Sequence, residues 1–187
     1  MYSVSDFRTG LKIEYEGEPY LVVEFQHVKP GKGNAFTRTK LKSLLSGRVI
    51  QPTFKSGEVF GEPDVEEKQM QYLYNDGHHY TFMDNTSYEQ VAIQKEVLGD
   101  QVAWLQENST CAVLFWKSRP LAVTLPTFVV LKITACEPGV RGDTATNAGK
   151  PATLESGGTV QVPLFINEGE RIKIDTRTGQ YVERVNY

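Results

Sequence analysis

Apolar and polar residues alternate along most of the chain. Leu11-Lys12-Ile13-Glu14-Tyr15, Arg171-Ile172-Lys173-Ile174-Asp175 and Tyr181-Val182-Glu183-Arg184-Val185 each repeat with a period of two. That spacing sends one face of a β-strand into a core and the other into solvent. Helical periodicity is nearly absent. The best helical stretch, Glu96 to Leu105, is short and is interrupted by Gly99. Glu16-Gly17-Glu18-Pro19, Asn75-Asp76-Gly77, Asn167-Glu168-Gly169 and Arg177-Thr178-Gly179 punctuate the alternation. Such clusters supply the positive φ that tight hairpins need. The pattern predicts an all-β protein of many short antiparallel strands.

Two joints divide the pattern, at Gly61-Glu62-Pro63-Asp64 and at Thr124-Leu125-Pro126-Thr127. The expected pieces are residues 1–64, 65–126 and 127–187, each the size of a small SH3-like or oligonucleotide-binding (OB) barrel. One sandwich of 187 residues is the other architecture that fits. The thirds share a strand-and-turn texture but no sequence repeat. In the middle third, Tyr72, Tyr74, Tyr80, Phe82 and Tyr88 alternate as core residues would.

Composition sharpens this picture. Hydrophobic residues are 40% and charged residues 23%, enough apolar surface for a core. The longest apolar runs, such as Cys111 to Trp116, fall far short of a bilayer span. The start, Met1 to Asp6, lacks the basic-then-apolar order of a secretory signal, so a cytoplasmic protein without a membrane segment is expected. Cys111 and Cys136 are expected to be reduced core residues. The net charge of −3 conceals an asymmetry. Between Glu24 and Glu58 there is no carboxylate, while Lys29, Lys32, Arg38, Lys40, Lys42, Arg48 and Lys55 lie inside that window. The middle third is acidic. A local basic stripe on an acidic chain points to one directed contact with a polyanion.

The usual catalytic and metal-binding signatures fail on inspection. Gly149-Lys150 is followed by Pro151, where a phosphate loop needs Ser or Thr. His-Glu-x-x-His and Gly-x-Ser-x-Gly do not occur. His78 and His79 are adjacent, and on a strand they point to opposite faces. Cys111 and Cys136 lack metal-ligand spacing. Arg141-Gly142-Asp143 and Asn108-Ser109-Thr110 have meaning only outside the cell. No metal, no cofactor and no enzymatic activity are expected.

The informative segment is His27 to Phe36. Tyr20 to Gln26 before it and Phe36 to Leu44 after it read as two strands joined by the tip Pro30-Gly31-Lys32-Gly33-Asn34. Strands of that length would carry the tip roughly 25 Å outward. Lys32 stands at the apex between two glycines, which let a backbone approach another surface closely. Lys29, Arg38, Lys40 and Lys42 are candidates to touch RNA phosphate or to stabilise the arm, with alternating ones free to face opposite sides. Binding of this kind is salt-dependent.

Lys29-Pro30-Gly31-Lys32-Gly33-Asn34-Ala35-Phe36, followed by Thr39-Lys40-Leu41 and Thr53-Phe54-Lys55, closely resembles the bacterial translation elongation factor P family. Tyr72-Leu73-Tyr74-Asn75-Asp76-Gly77, Gly142-Asp143-Thr144 and Lys150-Pro151-Ala152-Thr153-Leu154 extend the resemblance. So does the spacing of Lys150, Ala152, Gly157, Val162-Pro163 and Gly169, so that essentially the whole chain is covered in order. The lysine-tipped loop fits the standard factor better than its paralogue, the elongation factor P-like protein. The last third separates the chain from the two-domain hypusine-containing factor.

The resemblance implies an SH3-like (KOW-like) barrel followed by two OB barrels, with a tRNA-like overall shape. It implies a monomeric, non-enzymatic factor that binds the 70S ribosome between the peptidyl and exit sites. Acting on prolyl peptidyl-tRNA, such a factor relieves stalling at consecutive prolines. Lys32 is then the modified residue, carrying β-lysine or a short amino-alcohol chain. Gly33-Asn34-Ala35-Phe36 leans toward β-lysylation by an enzyme resembling a lysyl-tRNA synthetase. Gly139 to Leu154, with Arg141, Gly142, Asp143, Thr144 and Lys150, resembles the family loop that approaches the exit-site codon. Tyr181 and Arg184 are a further small-subunit contact. Two other classes compete: a free-standing single-stranded nucleic-acid-binding OB protein, and an enzyme with a carboxylate pair that leaves no motif.

Overall fold

A computed structural model describes residues 1–138 and 149–186. Strands dominate, as the alternation requires. They form separate five-stranded sheets and not one sandwich.

The first third contains β1 (Tyr2–Ser3), β2 (Lys12–Tyr15), β3 (Glu18–Val28), β4 (Phe36–Ser43), β5 (Val49–Ile50), β6 (Thr53–Lys55) and β7 (Val59–Phe60). The main sheet runs β2-β3-β4-β5, with β6 also on β4, while β1 pairs with β7. Glu16 (φ 51°) and Gly17 (φ 78°) close the β2–β3 hairpin. Positive φ at both central residues is the geometry of a type I′ turn, whose twist matches the flanking strands. Val22 and Leu41 are cross-strand partners and fully buried. Around them pack Val4, Phe7, Leu11, Ile13, Phe54 and Phe60. Phe54 is the hub, with ring centres 4.6 Å from Phe60, 5.5 Å from Tyr15 and 6.1 Å from Phe7.

The middle third contains β8 (Val65–Asn75), β9 (His79–Asp84), β10 (Gln90–Gln94), α1 (Lys95–Leu98), a 3-10 turn (Gly99–Trp104), β11 (Thr110–Trp116) and β12 (Arg119–Thr124). The last third contains β13 (Phe128–Cys136), β14 (Gly149–Leu154), β15 (Thr159–Pro163), β16 (Arg171–Asp175) and β17 (Gln180–Val185). Their sheets run β10-β9-β8-β11-β12 and β15-β14-β13-β16-β17. The wiring is identical: the first strand is central, the next two lie on one side and the last two on the other. The two thirds thus repeat in topology what they do not repeat in sequence.

Two expectations are corrected here. Of the alternating aromatics, Tyr72, Tyr80 and Phe82 are buried, but Tyr74 and Tyr88 are exposed. A bulge leaves Leu73 unpaired, so Tyr72 faces Phe82 while Tyr74 falls opposite Thr81, on the outer face. Tyr88 has φ 62° and sits in the turn that its N–H closes on the Asp84 carbonyl. The helix is also shorter than the stretch from Glu96 to Leu105. Gly99, at φ 59°, ends the α-helical turn, and a 3-10 segment follows.

By contacts the chain divides into two compact units, residues 1–67 with 114–121, and residues 68–113 with 122–187. Inside the second unit the 3-10 segment lies against the last third. The Ser156 hydroxyl donates to the Ala103 carbonyl (2.5 Å). Trp104 packs on the core formed by Val129, Leu131, Ile133, Leu154, Ile172 and their neighbours. Two glycines make room: a β-carbon at Gly179 would meet the Trp104 ring at 2.8 Å, and one at Gly158 would overlap the Ala103 carbonyl oxygen. Cys111 is buried, whereas Cys136 is half-buried at the edge of that core; neither forms a disulfide.

Candidate nucleic-acid interface

The arm is the hairpin of β3 and β4. Pairing runs without a break from Glu24↔Lys40 to Val28↔Phe36. β6 braces its second strand, with Phe36↔Lys55, Thr37↔Phe54 and Arg38↔Thr53. The inner face is fastened by polar contacts. Thr39 Oγ1 donates to the Pro52 carbonyl (2.7 Å), and His27 Nδ1 and Thr37 Oγ1 share a hydrogen bond of 2.8 Å. Thr37 and Thr39 are buried, so these partners spare them a desolvation penalty.

Above Val28 and Phe36 the chain forms the exposed tip. Lys29, Gly31, Lys32, Gly33 and Asn34 are exposed, and Pro30 is half-buried. Gly33 has φ 106°, in the region that favours glycine. A β-carbon there would meet nothing closer than Pro30 Cγ at 3.9 Å, so backbone conformation and not crowding selects the glycine.

Strand alternation settles the direction of the arm's cations. Arg38, Lys40 and Lys42 lie two residues apart and face outward together, since Thr37, Thr39, Leu41 and Ser43 between them are buried. They therefore do not divide between opposite sides. Lys40 Nζ is 2.8 Å from Glu24 Oε2. Arg38 lies over the Phe36 ring at 5.6 Å, and among the described residues neither Arg38 nor Lys42 is in an ion pair. Just below the tip is a cleft of about 590 Å³, lined by Val4, His27, Val28, Phe36, Thr37 and Gly57 among others. Sequence reading missed it, because three distant segments build it.

The candidates in the last third fare differently. Arg141, Gly142, Asp143 and Thr144 lie outside the described residues. Lys150 belongs to β14 and not to a loop: alternation along Gly149–Leu154 turns Lys150, Ala152 and Leu154 inward. Its buried Nζ donates to the Glu137 carbonyl (2.6 Å). Tyr181 packs half-buried against the C-terminal core. Arg184 Nη1 donates to Glu170 Oε1 (3.2 Å), and its guanidinium lies over Phe165. Outside the arm, Asp76 accepts the N–H groups of His79 and His78 (2.7 and 2.9 Å), which hold its carboxyl below the usual range. Among the described residues no group of three or more His, Cys, Asp or Glu is placed to hold a metal. No helix among them is long and apolar enough to cross a membrane.

Three family descriptions match in chain order. Residues 3–60 match the elongation factor P KOW-like domain, residues 65–123 its OB domain, and residues 129–184 its C-terminal domain. Elongation factor P of Syntrophomonas wolfei is 53% identical over 185 residues, covering 99% of this chain and 100% of that one. That of Bdellovibrio bacteriovorus is 52% identical over 186 residues, covering 100% and 99%. A solved structure described as eukaryotic translation initiation factor 5A from Methanococcus jannaschii aligns with a TM-score of 0.57 at 18% identity. It covers 66% of this chain and 91% of its own, a likeness of fold. Fold and matches together define a translation factor built from KOW-like and OB barrels. The chain belongs to the elongation factor P family.

Proposed function

We propose that this protein acts on the 70S ribosome, between the peptidyl and exit sites, and promotes peptide-bond formation at consecutive prolines. The observation that carries the reading is Lys32, exposed at the tip of a braced arm whose outer face presents Arg38, Lys40 and Lys42 together. Proline fixes φ near −65°, so a nascent end of several prolines relaxes poorly and its reacting groups align badly. Alignment is worth up to about 7–11 kcal/mol in favourable intramolecular cases. Recovering a small part of that changes the rate greatly. In this reading the arm's outer face meets tRNA phosphates, and Lys32 reaches toward the reacting end. A covalent extension of Lys32, β-lysylation by an enzyme resembling a lysyl-tRNA synthetase, lengthens the cation without bulk near the tip. The protein works as a cytoplasmic monomer, and catalysis stays with the ribosome.

The test is reconstituted translation of paired reporters, with and without a run of prolines, using protein from its native host. Selective acceleration of the proline reporter, lost in Lys32→Ala, is expected. Acceleration that survives the substitution removes Lys32 from the mechanism. No acceleration by protein whose Lys32 is modified by mass overturns the reading and favours a free-standing binder of single-stranded nucleic acid.

A further inference from the structure

The outer face of the C-terminal sheet carries a second cationic site. Antiparallel register sets Lys132 directly opposite Arg171, Val130 opposite Lys173, and Phe128 opposite Asp175. Val129, Leu131, Ile133, Ile172 and Ile174 fill the core, so the residues between them share the outer face. Lys132 and Arg171 are both exposed, and like charges directly opposite each other oppose the pairing of their strands. The acids nearby are engaged elsewhere. Glu183 is 3.3 Å from Lys173 Nζ, and Asp175 is 2.9 Å from Arg177 Nη2. Glu155 Oε1 accepts the backbone N–H of Lys132 (3.0 Å). Among the described residues no carboxylate forms an ion pair with Lys132 or Arg171. Further along the strand, Phe128 is 45% exposed, with the Lys173 ammonium 4.8 Å from its ring centre.

We propose that this face binds single-stranded RNA, with backbone phosphate on the Lys132–Arg171 pair and an unstacked base on Phe128. Two facing cations without an ion-pair partner among the described residues call for an anion. The exposed ring selects a ligand that also has a flat π-face, which every nucleotide of a strand supplies and a run of acidic side chains does not. Phe128 and Lys132 are four residues apart, roughly 13 Å along the strand, so the ligand is a strand and not a single nucleotide. A duplex hides its bases from such a ring, whereas single strands stack on aromatic platforms. The site is built by a different sheet from the arm's and does not depend on the proline reading.

The test is residue-resolved NMR of the full chain, titrated with short oligouridylate, and separately with oligoglutamate. Expected are oligouridylate shifts at Phe128, Lys132, Arg171 and Lys173 that persist when Lys32 is Ala. The double variant Lys132→Gln, Arg171→Gln should bind at that face at least about tenfold more weakly. Its log–log salt slope should flatten by about 0.7 for each phosphate no longer neutralised. Lys132→Gln alone should raise the melting temperature, since it removes the repulsion. Shifts confined to other surfaces, equal shifts with oligoglutamate, unchanged affinity in the double variant, or a lowered melting temperature in Lys132→Gln each overturn the site. A failed proline assay with these shifts intact leaves it standing.

Discussion

Replacing Gly158 by Ala tests the packing of the middle third on the last. The glycine is buried, and the added β-carbon would overlap the Ala103 carbonyl oxygen and meet Ala103 C and Cβ at 3.0 Å. These are main-chain and Cβ atoms, so no side-chain rotation relieves the clash. The 3-10 segment must recede. Forced insertion of one carbon into close packing costs about 1–3 kcal/mol. Recession also stretches the Ser156–Ala103 hydrogen bond, worth about 1 kcal/mol, and lifts Trp104 from Gly179. A total of about 2–4 kcal/mol is expected, read as a lower urea midpoint at unchanged slope. Gly157→Ala is the control. Its glycine has φ 87° and nothing within 4 Å, so that variant carries backbone strain alone, about 1–2 kcal/mol. The packing argument fails if Gly158→Ala loses no more stability than Gly157→Ala.

Three further outcomes follow from the same structure. The Thr86 N–H (2.7 Å), with help from Ser87 and Lys68, holds the Asp84 carboxyl below its ordinary 3.8. The stabilisation this brings is therefore complete above the ordinary value and is lost as pH falls through the depressed one. Urea midpoints measured from about pH 6 down to about pH 2 should decline less steeply in Asp84→Asn, and equal declines refute the assignment. Burial pushes the Cys111 thiol up, partly offset by the Ser109 hydroxyl. A thiol reagent should label half-buried Cys136 first and Cys111 only on unfolding; equal native rates count against the packing. Glu24→Gln removes the carboxylate beside Lys40. That exposed pair is worth only about 0.2–1 kcal/mol, so stability should barely move. Ribosome affinity at low salt should rise, and no change there takes the arm's outer face out of RNA contact.

Strand alternation and the Pro-Gly-Lys-Gly tip are legible because both are local. Period two announces a half-buried strand wherever it occurs, and glycines flanking a lysine announce an exposed apex. What stays hidden depends on a single inserted residue or on distant partners. Leu73 looks like any strand residue, yet the bulge it makes turns Tyr74 out of the core. Lys150 reads as part of a Gly-rich loop because charge suggests solvent; the strand's phase turns it inward instead, onto the Glu137 carbonyl. The partnership of Ala103 with Gly158, and the facing of Lys132 and Arg171, exist only once segments far apart in the chain are brought together.

The repeated wiring of the last two sheets has a consequence for synthesis. In each, the central strand comes first, and every later strand joins an edge already made by its predecessors or by that centre. Each sheet is complete within one contiguous stretch of chain. Domains tend to fold in order as the chain emerges, and short loop closures favour speed. A growing polypeptide of this design can therefore close one sheet before the next is translated, and no finished strand has to be reopened to admit a later one.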